Sequence, residues 1–450
     1  MTGDSSAAGS NAWACVVALL CAVSGFQSAT AGESAVGAGY FLTYWTNPTL
    51  SSTQPQSDVR NAAFVGLAYA ERTAELEARL LTHVETREYR RFDELSDTSV
   101  YIDGSAVWTI SPQQFYWTVA DRATDARVDI TRADTPDNRT QVNAFTTGPD
   151  LRLRLGAVDS LLLGSRYGTL DTDDAGSSEN TSAYARWAHK LGAPATLSLN
   201  YSEIRSDLRP VQSAPDSVVR SELLGRYEWM SPQSSFTFDA GMSTYEPDNA
   251  PRVQRSLMRL SAVRRVSQQS EFQASYRRGL SDTFSDLILS TSDPNSYSRT
   301  WWTPGIDVLT TTPYYNQRGE ISYSSTRPRY AYYVSATARR VDYQTTSPDY
   351  EELGARIDWR WRASGTATLT ARATYAEREF PDTAQRDVER EGSVGVSFIL
   401  SQNLTTSFEA ARVLRESTVP AGNFASTRLM WIIGYSTGRL FEARPARDTL

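Results

Sequence analysis

From Tyr40 onward the chain alternates apolar and polar residues in segments of about ten, and turn residues separate the segments. Residues 353 to 362 carry the pattern most clearly. One face has Leu353, Ala355, Ile357, Trp359 and Trp361, and the other has Gly354, Arg356, Asp358, Arg360 and Arg362. Because successive side chains of a β-strand point to opposite sides of the sheet, each such segment predicts an amphipathic strand.

The same alternation recurs along the chain. In residues 75 to 85, Leu76, Ala78, Leu80, Thr82 and Val84 oppose Glu75, Glu77, Arg79, His83 and Glu85. Residues 223 to 229, 236 to 242, 367 to 375 and 393 to 400 repeat it. A soluble β-sandwich also alternates, but its strands average nearer five or six residues. Strands of about ten residues can cross a bilayer when tilted, so repetition at this length favours a transmembrane barrel.

The connections alternate between short and long. The short turns are Arg72-Thr73, Ser111-Pro112-Gln113, Ala157-Val158-Asp159, Gly192-Ala193-Pro194, Ser231-Pro232-Gln233, Ser267-Gln268-Gln269, Arg327-Pro328-Arg329, Ser364-Gly365 and Ser401-Gln402-Asn403. Long polar stretches lie at 47 to 60, 125 to 139, 171 to 180, 206 to 216, 282 to 315 and 379 to 389. With single strands near 40 to 46 and 427 to 435, these turns predict an all-β, antiparallel, up-and-down transmembrane barrel of about twenty strands, within eighteen to twenty-two.

The amino terminus predicts export. The longest apolar run, from Ala14 to Val23, is too short for a spanning helix, and the A-x-A pattern Ala29-Thr30-Ala31 follows it. We therefore expect a signal peptide over residues 1 to 31, a barrel over 32 to 441, a tail over 442 to 450, and a location in the bacterial outer membrane. The first segment departs from the usual pattern, since it contains Asp4 and no Lys or Arg.

Composition excludes several function classes. Both cysteines, Cys15 and Cys21, lie in the predicted signal peptide, so the mature chain has no disulfide, thiolate metal site or cysteine nucleophile. A formal net charge of −7 argues against nucleic-acid binding. We find no ligand cluster that requires a metal and expect no cofactor. The partners that we expect are outer-membrane lipid, with a secreted polysaccharide and a periplasmic export protein as further candidates.

The polar faces of the strands predict the lining of a water-filled lumen, because some twenty strands enclose more space than side chains fill. The candidate wall residues are Glu75, Glu77, Arg79, His83, Glu85, Arg152, Arg154, Arg356, Asp358 and Arg360. Mutually paired, solvated charges are the simpler interpretation, and a dedicated substrate track is the alternative. Residues 282 to 315 either lie outside or fold inward as a constriction. The barrel starts too early for an amino-terminal plug, so we do not expect a TonB-type receptor.

Catalytic patterns are sparse. A Ser-His-acid hydrolase would have to use His83 or His189. His83 fits a lumen wall between Arg79 and Glu85, and His189 lies beside Lys190 at a turn. We therefore do not expect an enzyme. The aromatic residues near strand ends predict interfacial girdles: Tyr69, Trp108, Trp117, Trp187, Tyr227, Trp229, Trp359, Trp361, Tyr375 and Trp431.

Residues 135 to 168 read TPDNRTQVNAFTTGPDLRLRLGAVDSLLLGSRYG. The Thr-Pro-Asp-Asn, the Phe-x-Thr-Gly-Pro-Asp and the Arg-Leu-Gly followed by Leu-x-Leu-Gly resemble a family of outer-membrane β-barrels associated with exosortase (PEP-CTERM) and exopolysaccharide gene clusters. In this stretch Pro149 interrupts the alternation, with Leu151, Leu153 and Leu155 expected toward lipid and Arg152 and Arg154 toward the lumen. Outside these residues the resemblance extends only to the pattern of strands.

The resemblance implies a role in exopolysaccharide assembly or export and carries over no catalytic residues. A conduit for a secreted polysaccharide is therefore the first hypothesis. The alternatives are a general or solute-selective porin, a barrel enzyme, and a structural or adhesion scaffold. The chain also extends nine residues past Phe441, where such barrels commonly end on an aromatic residue. That tail is either a disordered extension or a docking segment for a periplasmic partner.

Overall fold

A computed structural model describes residues 32–173, 176–209, 217–249, 251–282, 314–343 and 348–437. The predicted signal peptide, the tail from 442 onward and residues 283–313 of the longest polar stretch lie outside the described residues. Within the described part, no helix is long and apolar enough to cross a membrane. The regular elements of these described residues are twenty strands and three single turns of 3₁₀ helix.

The strands follow one another along the chain as β1 to β20. Their bounds are β1 Glu33–Trp45, β2 Asp58–Arg72, β3 Leu76–Tyr89, β4 Asp97–Ser111, β5 Phe115–Arg127, β6 Arg139–Arg154, β7 Asp159–Thr172, β8 Gly176–Lys190, β9 Ala195–Arg209, β10 Ser217–Met230, β11 Ser234–Pro247, β12 Val253–Ser267, β13 Ser270–Ser281, β14 Tyr314–Thr326, β15 Tyr330–Tyr343, β16 Tyr350–Arg362, β17 Ala367–Phe380, β18 Gln385–Ile399, β19 Leu404–Ser417 and β20 Phe424–Ser436. The 3₁₀ turns are Asp93–Leu95, Pro136–Asn138 and Pro420–Gly422.

The sheet closes on itself as an antiparallel barrel. Each strand pairs with the next, and β1 pairs with both β2 and β20, from Gly37 opposite Ser436 to Trp45 opposite Arg428. The predicted fold class is therefore confirmed, with twenty strands. The strands are longer than the predicted ten residues, from 12 in β13 to 16 in β6. The extra residues extend beyond the alternating segments at the end of the barrel that carries the longer connections.

Each of the nine predicted short turns lies at a connection on one side of the barrel. The other side needs correction. The stretches 171 to 180 and 379 to 389 are mostly strand. In the first, β7 runs to Thr172 and β8 begins at Gly176, and in the second, β17 runs to Phe380 and β18 begins at Gln385. Conversely, the strand ends at Tyr89, Pro247, Tyr343 and Ser417 precede connections that are not among the predicted long stretches. Polar composition does not distinguish these alternatives, because strand ends beyond the membrane are as polar as loops.

The outer face of the barrel carries an apolar band. Val65 and Val394 are 63% and 62% exposed although they are surrounded by regular strand, which is the arrangement expected of side chains that face lipid. The predicted girdle aromatics fall on this outer face, and Trp359 and Trp361 stack there with ring centroids 6.4 Å apart. A closed barrel satisfies all ladder hydrogen bonds internally and can therefore span a bilayer. The protein is a bacterial outer-membrane barrel.

Candidate functional site

The inner face of the barrel is a wall of paired charges. The Nε atom of Arg226 lies 2.7 Å from a carboxylate oxygen of Asp239, which is 1% exposed. Asp358 lies between Arg356 and Arg372, with the Nε of Arg372 at 2.7 Å. Similar pairs join Arg186 to Glu228, Arg259 to Glu222, Arg318 to Glu320 and Arg428 to Glu409. These pairs lie within one strand or join neighbouring or next-neighbouring strands, so each of these arginines has a carboxylate beside it.

Four of the wall residues predicted in segment 75 to 85 share one face of β3. Gly66 of β2 lies opposite His83, and that register places Glu77, Arg79, His83 and Glu85 on the inner side. Arg79 pairs with Asp103 at 3.2 Å, and Glu85 accepts from Arg87 at 2.9 Å. The ring of His83 stacks on Tyr101 with centroids 5.0 Å apart. Glu75 lies in the turn before β3 rather than on the wall.

The other predicted wall residues lie on β6 and β16. Arg152 and Arg154 alternate with Leu151 and Leu153, which face outward on the lipid side. Arg356, Asp358 and Arg360 alternate with the outward Trp359 in the same way. The register thus places these residues on the inner face. They differ in whether a carboxylate forms an ion pair with them. Arg356 and Asp358 pair with each other, whereas Arg152, Arg154 and Arg360 do not pair with any carboxylate of the described residues.

Pro149 has a smaller effect than predicted. The pairs that flank it, Thr147 with Tyr167 and Asp150 with Gly164, keep one register, so the alternation continues through the proline. The ladder between β6 and β7 is interrupted only at Gly148 and Pro149. A Cβ on Gly148 would lie 2.0 Å from the carbonyl oxygen of Ser165, so the two backbones approach more closely there than any other residue type allows.

The connection between β5 and β6 folds into the barrel. We call residues 128–138 the lumen loop. Its Ile130 is 4% exposed and packs in a cluster with buried residues from the inner faces of β14 to β17. Those residues are Tyr314, Val341, Tyr343, Tyr350 and Phe380. Because β15 lies ten strands from β5 in a barrel of twenty, the lumen loop reaches the opposite wall.

A buried ion pair anchors the lumen loop to β18 and β19. Arg415 donates to Asp387 at 2.5 Å, and their side chains are 1% and 2% exposed. The same guanidinium donates to the carbonyl oxygens of Thr131 and Arg132 at 2.9 and 3.1 Å. Hydrogen bonds to a charged donor are stronger than neutral ones, and here they connect the wall directly to the backbone of the loop.

The neck of the lumen loop is closed by two side chains. Asn138, which is fully buried, donates to the carbonyl oxygens of Asp129 and Ala133 and accepts from the amide of Asp129. Asp134 accepts two hydrogen bonds from Arg139, both 2.7 Å, and pairs with Arg127 at 2.9 Å. The loop therefore carries its own internal structure and does not depend on the opposite wall alone for its shape.

A second connection meets the lumen loop inside the barrel. Leu50, from the connection between β1 and β2, is 4% exposed and packs with Val413 and Phe424 of the wall. Ala133 of the lumen loop packs against the same cluster. The amide of Asn47 donates to the carbonyl oxygen of Ser51 at 2.9 Å and ties this second connection together. The cross-section of the lumen is thus narrowed from two sides at the end with the long connections.

We expect acid pH to weaken the contacts that hold the lumen loop in its docked position. Burial alone would raise the pKa of Asp134, but the neighbouring Arg127 and Arg139 outweigh it and lower that pKa below its ordinary value. A carboxylate whose pKa is lower in the docked loop than in the undocked loop stabilises docking at pH values above the undocked pKa, which is about 3.9. This contribution to docking is lost as the pH falls through the lowered pKa of the docked state.

Single-channel conductance measured from pH 7 downward should therefore rise as the pH falls below the undocked value and through the lowered pKa of Asp134. In the Asp134→Asn variant the rise should already be present at pH 7, and acid should add little. A wild-type conductance that stays flat through this range would contradict a role for Asp134 in holding the loop.

The sequence did not reveal the lumen loop as an inward element. Residues 125 to 139 were predicted only as one of the long polar stretches, and the inward alternative was considered for 282 to 315. One stretch of the sequence did mark the place of this loop. Thr135, Pro136, Asp137 and Asn138, which form the first part of the recognised motif, build the 3₁₀ turn and the neck of the loop.

Comparison with known proteins assigns no family to the chain. No family model matches the chain, and no curated protein matches it. Similar solved structures include the siderophore receptor PirA from Pseudomonas aeruginosa, at 10% identity over 89% of this chain and 80% of that one, with a TM-score of 0.44. The FrpB iron transporter from Neisseria meningitidis (F5-1 variant) is 8% identical over 90% and 82%, with a TM-score of 0.45. OccK2 (OpdF) from Pseudomonas aeruginosa is 8% identical over 90% and 97%, with a TM-score of 0.38. Likenesses this remote assign neither a family nor a substrate.

Proposed function

We propose that the protein is a passive channel of the outer membrane whose lumen is narrowed by the lumen loop. The observation that carries this proposal is the position of Ile130 in the cluster on the opposite wall, because that contact requires the loop to cross the lumen from β5 to the wall formed by β14 to β17. A wall of paired charges fits a water-filled passage, and barrels of this size leave room for one.

The narrow region belongs to the outer side of the membrane in this proposal. Outer-membrane barrels have short periplasmic turns and longer extracellular loops. On the short-turn side the connections are two to four residues long, which is too short to reach the lumen axis. A solute from the periplasm would enter a wide mouth first and meet the lumen loop last.

For the cargo, we propose a secreted polysaccharide delivered by a periplasmic export protein. The support is the resemblance of residues 135 to 168 to barrels of exopolysaccharide gene clusters, since Thr135 to Asn138 of that motif form the neck of the lumen loop. A solute-selective porin is the second candidate. The lumen loop itself favours it, because a fixed constriction limits the size of what passes.

Neither histidine supports an enzyme. His83 stacks on Tyr101 and meets the ring of Phe64 edge-on, and His189 lies on the outer face, 2.9 Å from Asp159. A general base needs a reacting group within hydrogen-bond reach, and the lipid side offers His189 no aqueous substrate. Transport through the lumen therefore remains the function that the arrangement supports best.

The test is single-channel recording on residues 32–450 refolded into planar bilayers, with and without the exopolysaccharide of the producing strain. Discrete conductance steps that the polymer partly blocks support the polysaccharide conduit. Steps that the polymer leaves unchanged support the porin. A heat-modifiable barrel that conducts no current would overturn the channel proposal.

A further inference from the structure

Five cationic side chains stand on the inner wall near the short-turn end of the barrel. They are Arg152 and Arg154 of β6, Lys190 at the end of β8, and Arg360 and Arg362 of β16. The strand register directs them inward, since their outward neighbours Leu153 and Trp361 are exposed on the lipid side. All five are solvent exposed, and we call this group the cationic vestibule.

The cationic vestibule differs from the rest of the wall in its lack of counter-charges. Arginines farther from the short-turn end, such as Arg226 and Arg378, each form an ion pair with a carboxylate. For the five vestibule side chains, no carboxylate of the described residues lies within ion-pair distance. Arg152 instead packs over the ring of Tyr116, with its guanidinium carbon 5.9 Å from the ring centroid, which leaves its hydrogen-bond donors available.

Nearby acids compensate this charge only partly. Glu271 faces the lumen at the same end and is 3.9 Å from Arg265, so it already has a cationic neighbour. Glu77 lies on the inner face of β3, opposite Arg72. Among the described residues, the short-turn end of the lumen therefore carries a net positive charge even when Glu33 on the inner face of β1 is counted, although the whole chain is acidic with a formal net charge of −7.

We infer that the cationic vestibule is an anion-binding entrance that captures carboxylate-bearing cargo from the periplasm. The inference rests on the proposed channel and narrows its cargo to anions. Clefts lined by charge of one sign raise the local concentration of opposite charge, and low-dielectric walls focus that field. Guanidinium groups bind carboxylates through two parallel hydrogen bonds, which suits Arg152, Arg154, Arg360 and Arg362 to acidic sugars.

The experiment compares wild type with a variant carrying Arg152→Gln, Arg154→Gln, Arg360→Gln and Arg362→Gln. The positions are exposed, so the barrel should fold, and heat-modifiability checks that it does. In planar bilayers under a KCl gradient, the wild-type reversal potential should indicate preference for chloride. Oligogalacturonate added to the short-turn side should block the current, whereas neutral maltodextrin of the same length should not.

In the variant, chloride preference should be lost and the association rate of oligogalacturonate should fall by about tenfold or more. The matched control is Arg327→Gln with Arg329→Gln, which removes arginines from a turn at the same end but not from the wall. Selectivity and block that do not change in the fourfold variant, or that change equally in the control, would overturn the inference.

Failure of the channel proposal can be distinguished from failure of this inference. If wild type conducts no current, the channel proposal fails, and binding of fluorescent oligogalacturonate to the detergent-solubilised barrel still tests the vestibule. Stronger binding to wild type than to the fourfold variant, weakened by added salt, would support the inference. Equal binding to both proteins would overturn it.

Discussion

Replacing residues 129–137 with a short Gly-Ser turn should raise the single-channel conductance several-fold. The lumen loop crosses from β5 to the wall formed by β14 to β17, so its removal opens the narrowing that the described residues form. The barrel should still fold, because the pairing of β5 with β6 continues to Arg127 opposite Arg139 without the loop. Open-channel current in planar bilayers measures the effect.

The control for this deletion is a replacement of similar kind at residues 419–422, between β19 and β20. That connection holds an exposed 3₁₀ turn, Pro420–Gly422, with no buried residue in it. Its replacement should leave the conductance near the wild-type value. A lumen-loop deletion that folds and conducts like wild type would mean that the loop does not limit the current.

Arg415→Ala should release the lumen loop without any change in the loop itself. The substitution leaves Asp387 buried without its cation and removes the donors to the carbonyl oxygens of Thr131 and Arg132. Breaking a buried ion pair by removing one partner costs about 3–5 kcal/mol. A cost of that size shifts the docking equilibrium by more than about a hundredfold. We expect larger and noisier conductance, together with proteolysis near residue 132.

Two variants separate release of the loop from general damage. Arg340→Ala removes an arginine that pairs with Asp342 and Glu351 on the outer surface, where exposed ion pairs contribute about 0–1 kcal/mol. It should behave like wild type. Arg415→Met with Asp387→Leu removes both buried charges, so its barrel should be more heat-resistant than Arg415→Ala while the loop stays loosened. A quiet, wild-type current from Arg415→Ala would contradict the anchoring role.

Most of the barrel could be predicted from local sequence. Alternation over residues 353 to 362 identified the inward and outward faces of β16, and clusters such as Ser231-Pro232-Gln233 marked the short turns. These signals are local, because the strand repeat and the turn chemistry depend on adjacent residues. Strand ends such as those of β7 and β8 were missed, since they leave the lipid band and lose the alternation that identifies a strand.

The lumen loop could not be predicted in the same way. Ile130 is one apolar residue within a polar stretch, and its neighbours Val341 and Phe380 are distant in the sequence. The sequence also does not reveal which wall arginines lack an ion-pair partner. Arg356 has Asp358 two residues away on the same strand, which the sequence shows, whereas only the register of β5, β6 and β7 shows that neighbouring strands bring no carboxylate to Arg152. Contacts between different strands decide both features.

The position of the lumen loop is the central claim, and a disulfide tests it most directly. Cys15 and Cys21, the only cysteines, lie ahead of residue 32, so a chain from 32 to 450 offers a cysteine-free background. Ala133→Cys with Val413→Cys joins the loop to the wall cluster. A positive control, Ala336→Cys with Ala355→Cys, joins residues that face each other on β15 and β16. We predict that oxidant crosslinks both pairs in intact outer membranes. Crosslinking of the control pair alone would contradict a loop that lies across the lumen.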